Sequence, residues 1–161
     1  MADLKDKLYL KIIILFSIIA LISAYFIEYI LGHQPCNLCL IERIPYGISI
    51  ILILTIFFLK KNEIFCILLL ILTFIFSFFI SFYHFGIEQG FFQESAFCGV
   101  RDFTENITKE SLLKELNKKI VSCKDVTFRI FGLSLTSINI VINIIFIITL
   151  TKIFIKYEKD K

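Results

Sequence analysis

Apolar positions in this chain fall in four long runs, without the alternation of a half-buried strand or the three-to-four residue spacing of a surface helix. They extend from Leu8 to Ile27, Leu40 to Leu59, Ile64 to Phe85, and Ile130 to Leu150, the last with an extension to Ile155. A membrane crossing takes roughly 20 apolar residues at 1.5 Å each, so every run spans once and none spans twice. Backbone amides in lipid have no water to bond, which makes each span a helix. The pattern predicts an all-α membrane protein: one domain over residues 1–161, folded as a four-helix transmembrane bundle.

Three connections follow. Residues 28–43 form an outer loop, 60–63 a tight inner turn, and 86–129 a long outer loop. The first run follows Lys5 and Lys7 as a secretory signal would, but its length exceeds a signal's apolar core and no small-x-small cleavage site follows, so it is expected to remain as an anchor. In the long loop, Thr108 to Ile120 places Leu112, Leu113, Leu116 and Ile120 at helical spacing among charges, with Thr108 as a cap. That predicts a short amphipathic surface helix, lying on the membrane or packed on the bundle. Phe91 and Phe92, after Gly86 and Gly90, suit an interfacial position. Asn106-Ile107-Thr108 matches a glycosylation sequon, which matters only in a eukaryotic lumen.

Charge orients the bundle. Four spans put nine basic residues and five acids on the side of the termini, a net of +4, and eight basic residues and nine acids on the other, a net of −1, which sum to the chain's +3. Short loops decide, and there Lys60 and Lys61 outweigh Arg43, so both termini are predicted cytoplasmic. This reading accounts for the basic charge without a nucleic-acid partner. The hydrophobic content of 58% adds nothing beyond the spans. Inside them, Asn139 and Asn143 share a face of the fourth helix and Ser17, Ala20 and Ala24 share one of the first; both read as helix-packing contacts.

Cysteine placement changes the picture most. Cys36 and Cys39 lie in the first outer loop as Cys-x-x-Cys, and Cys98 and Cys123 in the second; topology brings all four to one face, the side on which disulfides persist. Cys66, two residues into the third run, reads as a small buried hydrophobe. Cys-x-x-Cys alone suits a metal, a structural disulfide or a redox dithiol. Zinc fits poorly: the second pair is 25 positions apart and the site would sit at a lipid interface, although His33 is adjacent. Two pairs of unlike spacing, one beside the membrane and one on a long loop, suit an electron relay by thiol–disulfide exchange. With no haem or iron–sulfur signature, the apolar surroundings favour a quinone as acceptor.

The start of the second span directs free backbone N–H groups toward Cys39 and favours a thiolate there. Arg43, one helical turn on, either stabilises that thiolate or an anionic ligand, or snorkels to the interface. Pro45 decides between them: in a first turn it starts the helix late, and further in it kinks it.

Three stretches, Pro35-Cys-Asn-Leu-Cys-Leu-Ile-Glu-Arg-Ile-Pro-Tyr46, Tyr83-His-Phe-Gly-Ile-Glu-Gln89 and Cys123-Lys-Asp-Val-Thr-Phe-Arg-Ile-Phe-Gly-Leu-Ser-Leu135, resemble the disulfide bond formation protein B family and its DsbI-type relatives. The resemblance, which covers nearly the whole chain, implies a thiol:quinone oxidoreductase of the bacterial inner membrane with periplasmic loops at 28–43 and 86–129. It implies that Cys36 and Cys39 are the pair reoxidised by a quinone, ubiquinone or menaquinone, with Cys39 toward the ring. Arg43 would be the quinone-site arginine, and His84 would either approach the quinone or be an ordinary interfacial histidine. Cys98 and Cys123 would be the shuttle pair, Cys98 joining a periplasmic thioredoxin-like oxidant similar to DsbA and Cys123 resolving that bond. No metal is implied. Two alternatives stay open: a vitamin K epoxide reductase-type enzyme, in which the membrane-side Cys-x-x-Cys comes late in the chain, and a non-enzymatic membrane protein with structural disulfides or zinc.

Overall fold

The computed structural model describes residues 4–59, 63–93, 122–124, 129–130 and 133–159. The expected surface helix and Cys98 lie outside them. Among the described residues, four helical spans are long and apolar enough to cross a membrane: Asp6–Tyr29, Asn37–Phe58, Glu63–Glu88 and Leu135–Lys159. Helix α1 is Leu4–Tyr29; the second span consists of α2, Asn37–Ile41, and α3, Ile44–Leu59; α4 is Glu63–Glu88; and α5 is Leu135–Lys159.

The second span departs from the single run expected. Pro45 has no N–H to offer the carbonyl of Ile41, so the helix breaks at Glu42–Arg43 and restarts with Pro45 in the first turn of α3. Arg43 N–H bonds to Leu40 O at 3.2 Å, tightening the end of α2, and Gly47 N–H bonds to Arg43 O at 3.3 Å. Both outcomes weighed for Pro45 are thus partly realised: α3 starts late, yet the Cys-x-x-Cys stays on a helical turn of its own.

The fourth helix starts five residues later than the apolar run, because Arg129–Ile130 (β1) and Leu133–Ser134 (β2) pair antiparallel, Arg129 with Ser134 and Ile130 with Leu133. Ser134 Oγ then accepts from Ser137 N–H at 3.2 Å and meets Ser137 Oγ at 2.9 Å, capping α5. At the other end α5 continues to Lys159.

Helix α4 packs on α5 and α3, and α1 packs on α3. The core holds Leu10, Ile13, Ile53, Ile67, Leu70, Phe74, Phe146 and Leu150. Phe74 meets Phe146 edge-on at 5.0 Å between ring centres, and Phe16 meets Phe146 at 5.5 Å, favourable geometry for aromatic quadrupoles. Buried Cys66 belongs to this core. Ser17, fully buried, reaches Ser49 across α1 and α3 at 3.0 Å, so the small-residue face of α1 does bring two helices close. Large apolar side chains around the outside, such as Ile22, Phe58, Phe79 and Ile145, are exposed, as lipid contact requires.

Polar ties close the end that carries the termini: Lys156 Nζ to Asp6 Oδ2 at 3.0 Å, and Tyr157 OH to Glu63 Oε2 at 3.0 Å. At the opposite end, Gly86 leaves room for the Phe92 ring, which a Cβ would overlap. Gly90, at φ +78°, turns the chain back so that Phe92 stacks on Tyr83 at 5.7 Å. This fold-back follows directly on Glu88.

Candidate functional site

The break in the second span builds the site. Cys36 is the N-cap of α2, with φ −73° and ψ 168°, and its Sγ accepts the Cys39 N–H at 3.3 Å. The helix start that favours a thiolate is thus occupied by Cys36, correcting the expectation that it serves Cys39; the reason is that α2 begins within the motif, at Asn37. Cys36 and Cys39 are free thiols whose sulfurs lie 2.8 Å apart. Two thiolates on one tetrahedral zinc, at Zn–S near 2.3 Å, stand roughly 3.8 Å apart. The pair is therefore closer than zinc would hold it, although His84 and both sulfurs offer donor atoms within 4.8 Å of one another.

Cys36 is surrounded. The Cys123 thiol hydrogen-bonds to it, Cys39 does so next, and His84 Nε2 lies 3.5 Å away. Together, and against the effect of burial, these partners hold the Cys36 thiol far below its ordinary range, so Cys36 is the site's thiolate. Cys123 is itself buried and packs with Cys36, Leu38 and Ile87. Segment 122–124 thereby brings one cysteine of the second outer loop onto one cysteine of the first.

On the far side of the imidazole, His84 Nδ1 lies 3.0 Å from Glu42 Oε1 and 3.3 Å from Thr136 Oγ1. Thr136 donates its hydroxyl proton to Glu88 Oε1 at 2.7 Å, so its oxygen can only accept from His84, which places a proton on Nδ1 and leaves Nε2 facing the Cys36 sulfur. Asn139 Nδ2 donates to Glu42 Oε2 at 3.2 Å and to Ser81 Oγ at 2.8 Å, and Asn139 Oδ1 accepts from Tyr46 OH. Asn143 Nδ2 adds a longer contact to Asn139 Oδ1 at 3.4 Å.

Glu42 and Arg43, adjacent at the helix break, face different ways. Arg43 NH1 pairs with Glu28 Oε2 at 2.5 Å, and its guanidinium lies 5.1 Å over the Tyr25 ring, so α1 holds it in place. It is therefore partnered within the protein, a more specific arrangement than snorkelling. One cavity of about 350 Å³ joins these groups. Phe16, Ile19, Ile27, Leu135, Ile138 and Ile142 give it apolar walls; Cys36, Cys39, Arg43, His84, Glu88 and Cys123 reach it from one end of the bundle. Of the residues singled out from sequence, Cys36, Cys39, Arg43, His84 and Cys123 thus converge.

Four further residues join the site without a signal in the motifs: Glu42, to which chain order assigns no role, Glu28 and Glu88, which are simply outer-side charges there, and Asn139, a packing contact. Ionisable and amide groups within or at the ends of apolar spans were the available signal, together with the four-residue spacing of His84 and Glu88 on α4.

Fold and site define a multi-pass membrane protein with a dithiol centre beside an apolar cavity. The chain belongs to the DsbB family: residues 6–153 match the family of the disulfide bond formation protein DsbB, and the protein is thus a membrane disulfide-bond formation protein. It is also 32% identical over 152 residues to the "Uncharacterized protein RP370" of Rickettsia prowazekii (strain Madrid E), a match covering 93% of this chain and 88% of that protein.

Proposed function

We propose that this protein is a thiol:quinone oxidoreductase that reoxidises a periplasmic, DsbA-like disulfide donor. Electrons pass from the reduced partner to Cys98–Cys123, then to Cys36–Cys39, and then to a membrane quinone. The observation that carries this reading is the contact of Cys123 with Cys36 at the edge of a cavity that also receives Cys39. Exchange between the pairs needs a thiolate and a disulfide sulfur within reach, and this contact supplies the proximity.

A quinone suits the cavity on two counts. Its volume of about 350 Å³ falls in the range of small-molecule sites, roughly 300–1,000 Å³. Its walls are mainly apolar, with a few converging polar groups at one end. A bound quinone would supply an acceptor for two electrons and two protons. Arg43 keeps donors beyond the one given to Glu28, and with His84 it would hold the polar end of such a ligand. Cys36 forms the mixed disulfide with the shuttle pair, Cys39 closes back onto it, and Glu42 orients the His84 ring.

The family's inner-membrane setting and the short-loop charges support placement in a bacterial inner membrane with both termini cytoplasmic; reporter fusions at either end test this. The central experiment is reduction of added quinone by purified protein in the presence of a reduced thioredoxin-like oxidant. Cys39→Ser should abolish quinone reduction while leaving the partner trappable on Cys98. Quinone-dependent oxidation that survives this change would overturn the assignment, and stoichiometric zinc with no thiol turnover would replace it with a structural site.

A further inference from the structure

Two carboxylates flank His84, and their surroundings differ. Glu42 Oε1 faces His84 Nδ1, while Glu42 Oε2 takes the amide N–H of Asn139. An amide nitrogen cannot accept a proton, and Asn139 Oδ1 already receives Tyr46 OH, so the route through Glu42 ends in donors. Glu42 is anchored.

Glu88 is different. Its Oε1 accepts the Thr136 hydroxyl at 2.7 Å, and the same hydroxyl oxygen lies 3.3 Å from His84 Nδ1. Its direct separation from His84 Nε2, 3.8 Å, is too long for a hydrogen bond, so the threonine is the link. The Glu88 side chain is only 6% exposed, yet its Oε2 has no hydrogen-bond partner among the described residues, and Glu88 lines the cavity. A buried carboxylate oxygen without a partner is costly to keep, which calls for a role.

We infer that Glu88, reached through Thr136, is a proton-transfer group of this site: it takes the proton given up by the Cys36–His84 pair when Cys36 and Cys39 close into a disulfide, and passes it into the cavity. The inference rests on the thiol-oxidase reading. Closing the S–S bond removes two electrons and two protons from the two thiols. Both electrons go to the quinone acceptor. One proton leaves Cys39, which itself lines the cavity; the other is shared by Cys36 and His84 and has no sulfur to return to once the bond forms. His84 Nδ1–H passes to Thr136 Oγ1, the hydroxyl proton passes to Glu88 Oε1, and the Glu88 carboxyl, at the cavity wall, releases a proton there. Two electrons and two protons then reach the same acceptor. Charged or titratable side chains that reach the cavity with Glu88 include His84 on its own helix, Glu42 and Arg43 at the α2–α3 break, Cys36 and Cys39 on the α2 turn, and Cys123 on the second loop segment.

Two measurements test this. In quinone-dependent turnover, Glu88→Gln should slow oxidation about tenfold to a hundredfold, within the range of a lost acid–base group. Added acetate or imidazole should restore part of the rate, and partner exchange with Cys98–Cys123 should proceed as in the wild type. Thr136→Val should reproduce the defect and Thr136→Ser should not. In quinone-free protein, infrared difference spectra between dithiol and disulfide forms should contain a carboxyl band that disappears in Glu88→Gln. A wild-type protein that never oxidises thiols with quinone would sink the thiol-oxidase reading itself. Normal turnover in Glu88→Gln, a defect that small acids do not relieve, or no redox-linked Glu88 band would overturn the proton-transfer role alone.

Discussion

Replacing Asn139 by alanine probes the polar layer that supports the site. Asn139 bonds to Ser81 on α4 at 2.8 Å, to Glu42 at the helix break at 3.2 Å, and to Tyr46 on α3, which makes three links between α5 and the rest of the bundle. Interhelical hydrogen bonds in membranes contribute roughly 0.6 kcal/mol each, with a maximum near 1.7, so three lost links cost about 2 to 5 kcal/mol. The mutation also strands the Tyr46 hydroxyl and one Glu42 oxygen, and a buried group left unsatisfied costs roughly 1–3 kcal/mol. Water entering from the adjoining cavity offsets part of that. The expected loss is therefore about 2–4 kcal/mol, above what the truncation alone would do. Asn143 makes one longer contact at 3.4 Å and leaves its own Oδ1 without a partner among the described residues, so Asn143→Ala should cost less than about 1 kcal/mol. Denaturant titration in mixed micelles, followed by helical circular dichroism, measures both. Tyr46→Phe combined with Asn139→Ala should be less than additive, because the two share a bond. A loss below about 0.5 kcal/mol for Asn139→Ala, less than one average membrane hydrogen bond, would mean that these three links do not hold α5 to the bundle.

Cys36 should alkylate rapidly at pH values where an ordinary thiol, with a pKa near 9, is largely protonated. The sign follows from a depressed folded-state pKa: the thiolate's hydrogen bonds contribute stability above the unfolded value, and this is lost as pH falls through the folded one. Cys123→Ala should slow Cys36 alkylation about tenfold or more at low pH, since a hydrogen bond to a charged group is worth roughly 1.5–3 kcal/mol, whereas Cys123→Ser, which keeps a donor, should not; peptide mapping after iodoacetamide labelling reads both. Arg43→Gln should raise the apparent quinone KM more than it slows partner exchange, and an unchanged KM in steady-state quinone reduction would limit Arg43 to its contacts with Glu28 and Tyr25.

Much of the architecture was legible because membrane insertion is decided locally. A run such as Ile64 to Phe85 has one low-cost conformation in lipid whatever its neighbours do, so the four spans could be read from chain order alone. The ends were less legible. The fourth apolar run includes Ile130, which the structure commits to a ladder with Leu133, since hydrophobicity does not separate a helix start from a short strand pair. Pro45 announced an interruption, but not that Cys36 and Cys39 would sit on a separate turn before it.

Chain order alone was enough for the membrane class, the four spans and, through the motifs, the family and five side chains that reach the cavity: Cys36, Cys39, Arg43, His84 and Cys123. Only the tertiary structure decided which of them touch. Cys36 meets residues 48 and 87 positions away, His84 and Cys123, and Glu42 meets Asn139 at a separation of 97. An acid at the end of an apolar span has the same sequence context whether it faces water or a neighbouring helix. Glu42 and Glu88 could therefore be counted as outer-side charges until the packing of the second span against α4 brought Glu42 to the imidazole that Glu88 flanks from its own helix. Chain order records the cost of leaving water for each residue; helix rotation and contact decide which partners make up for it.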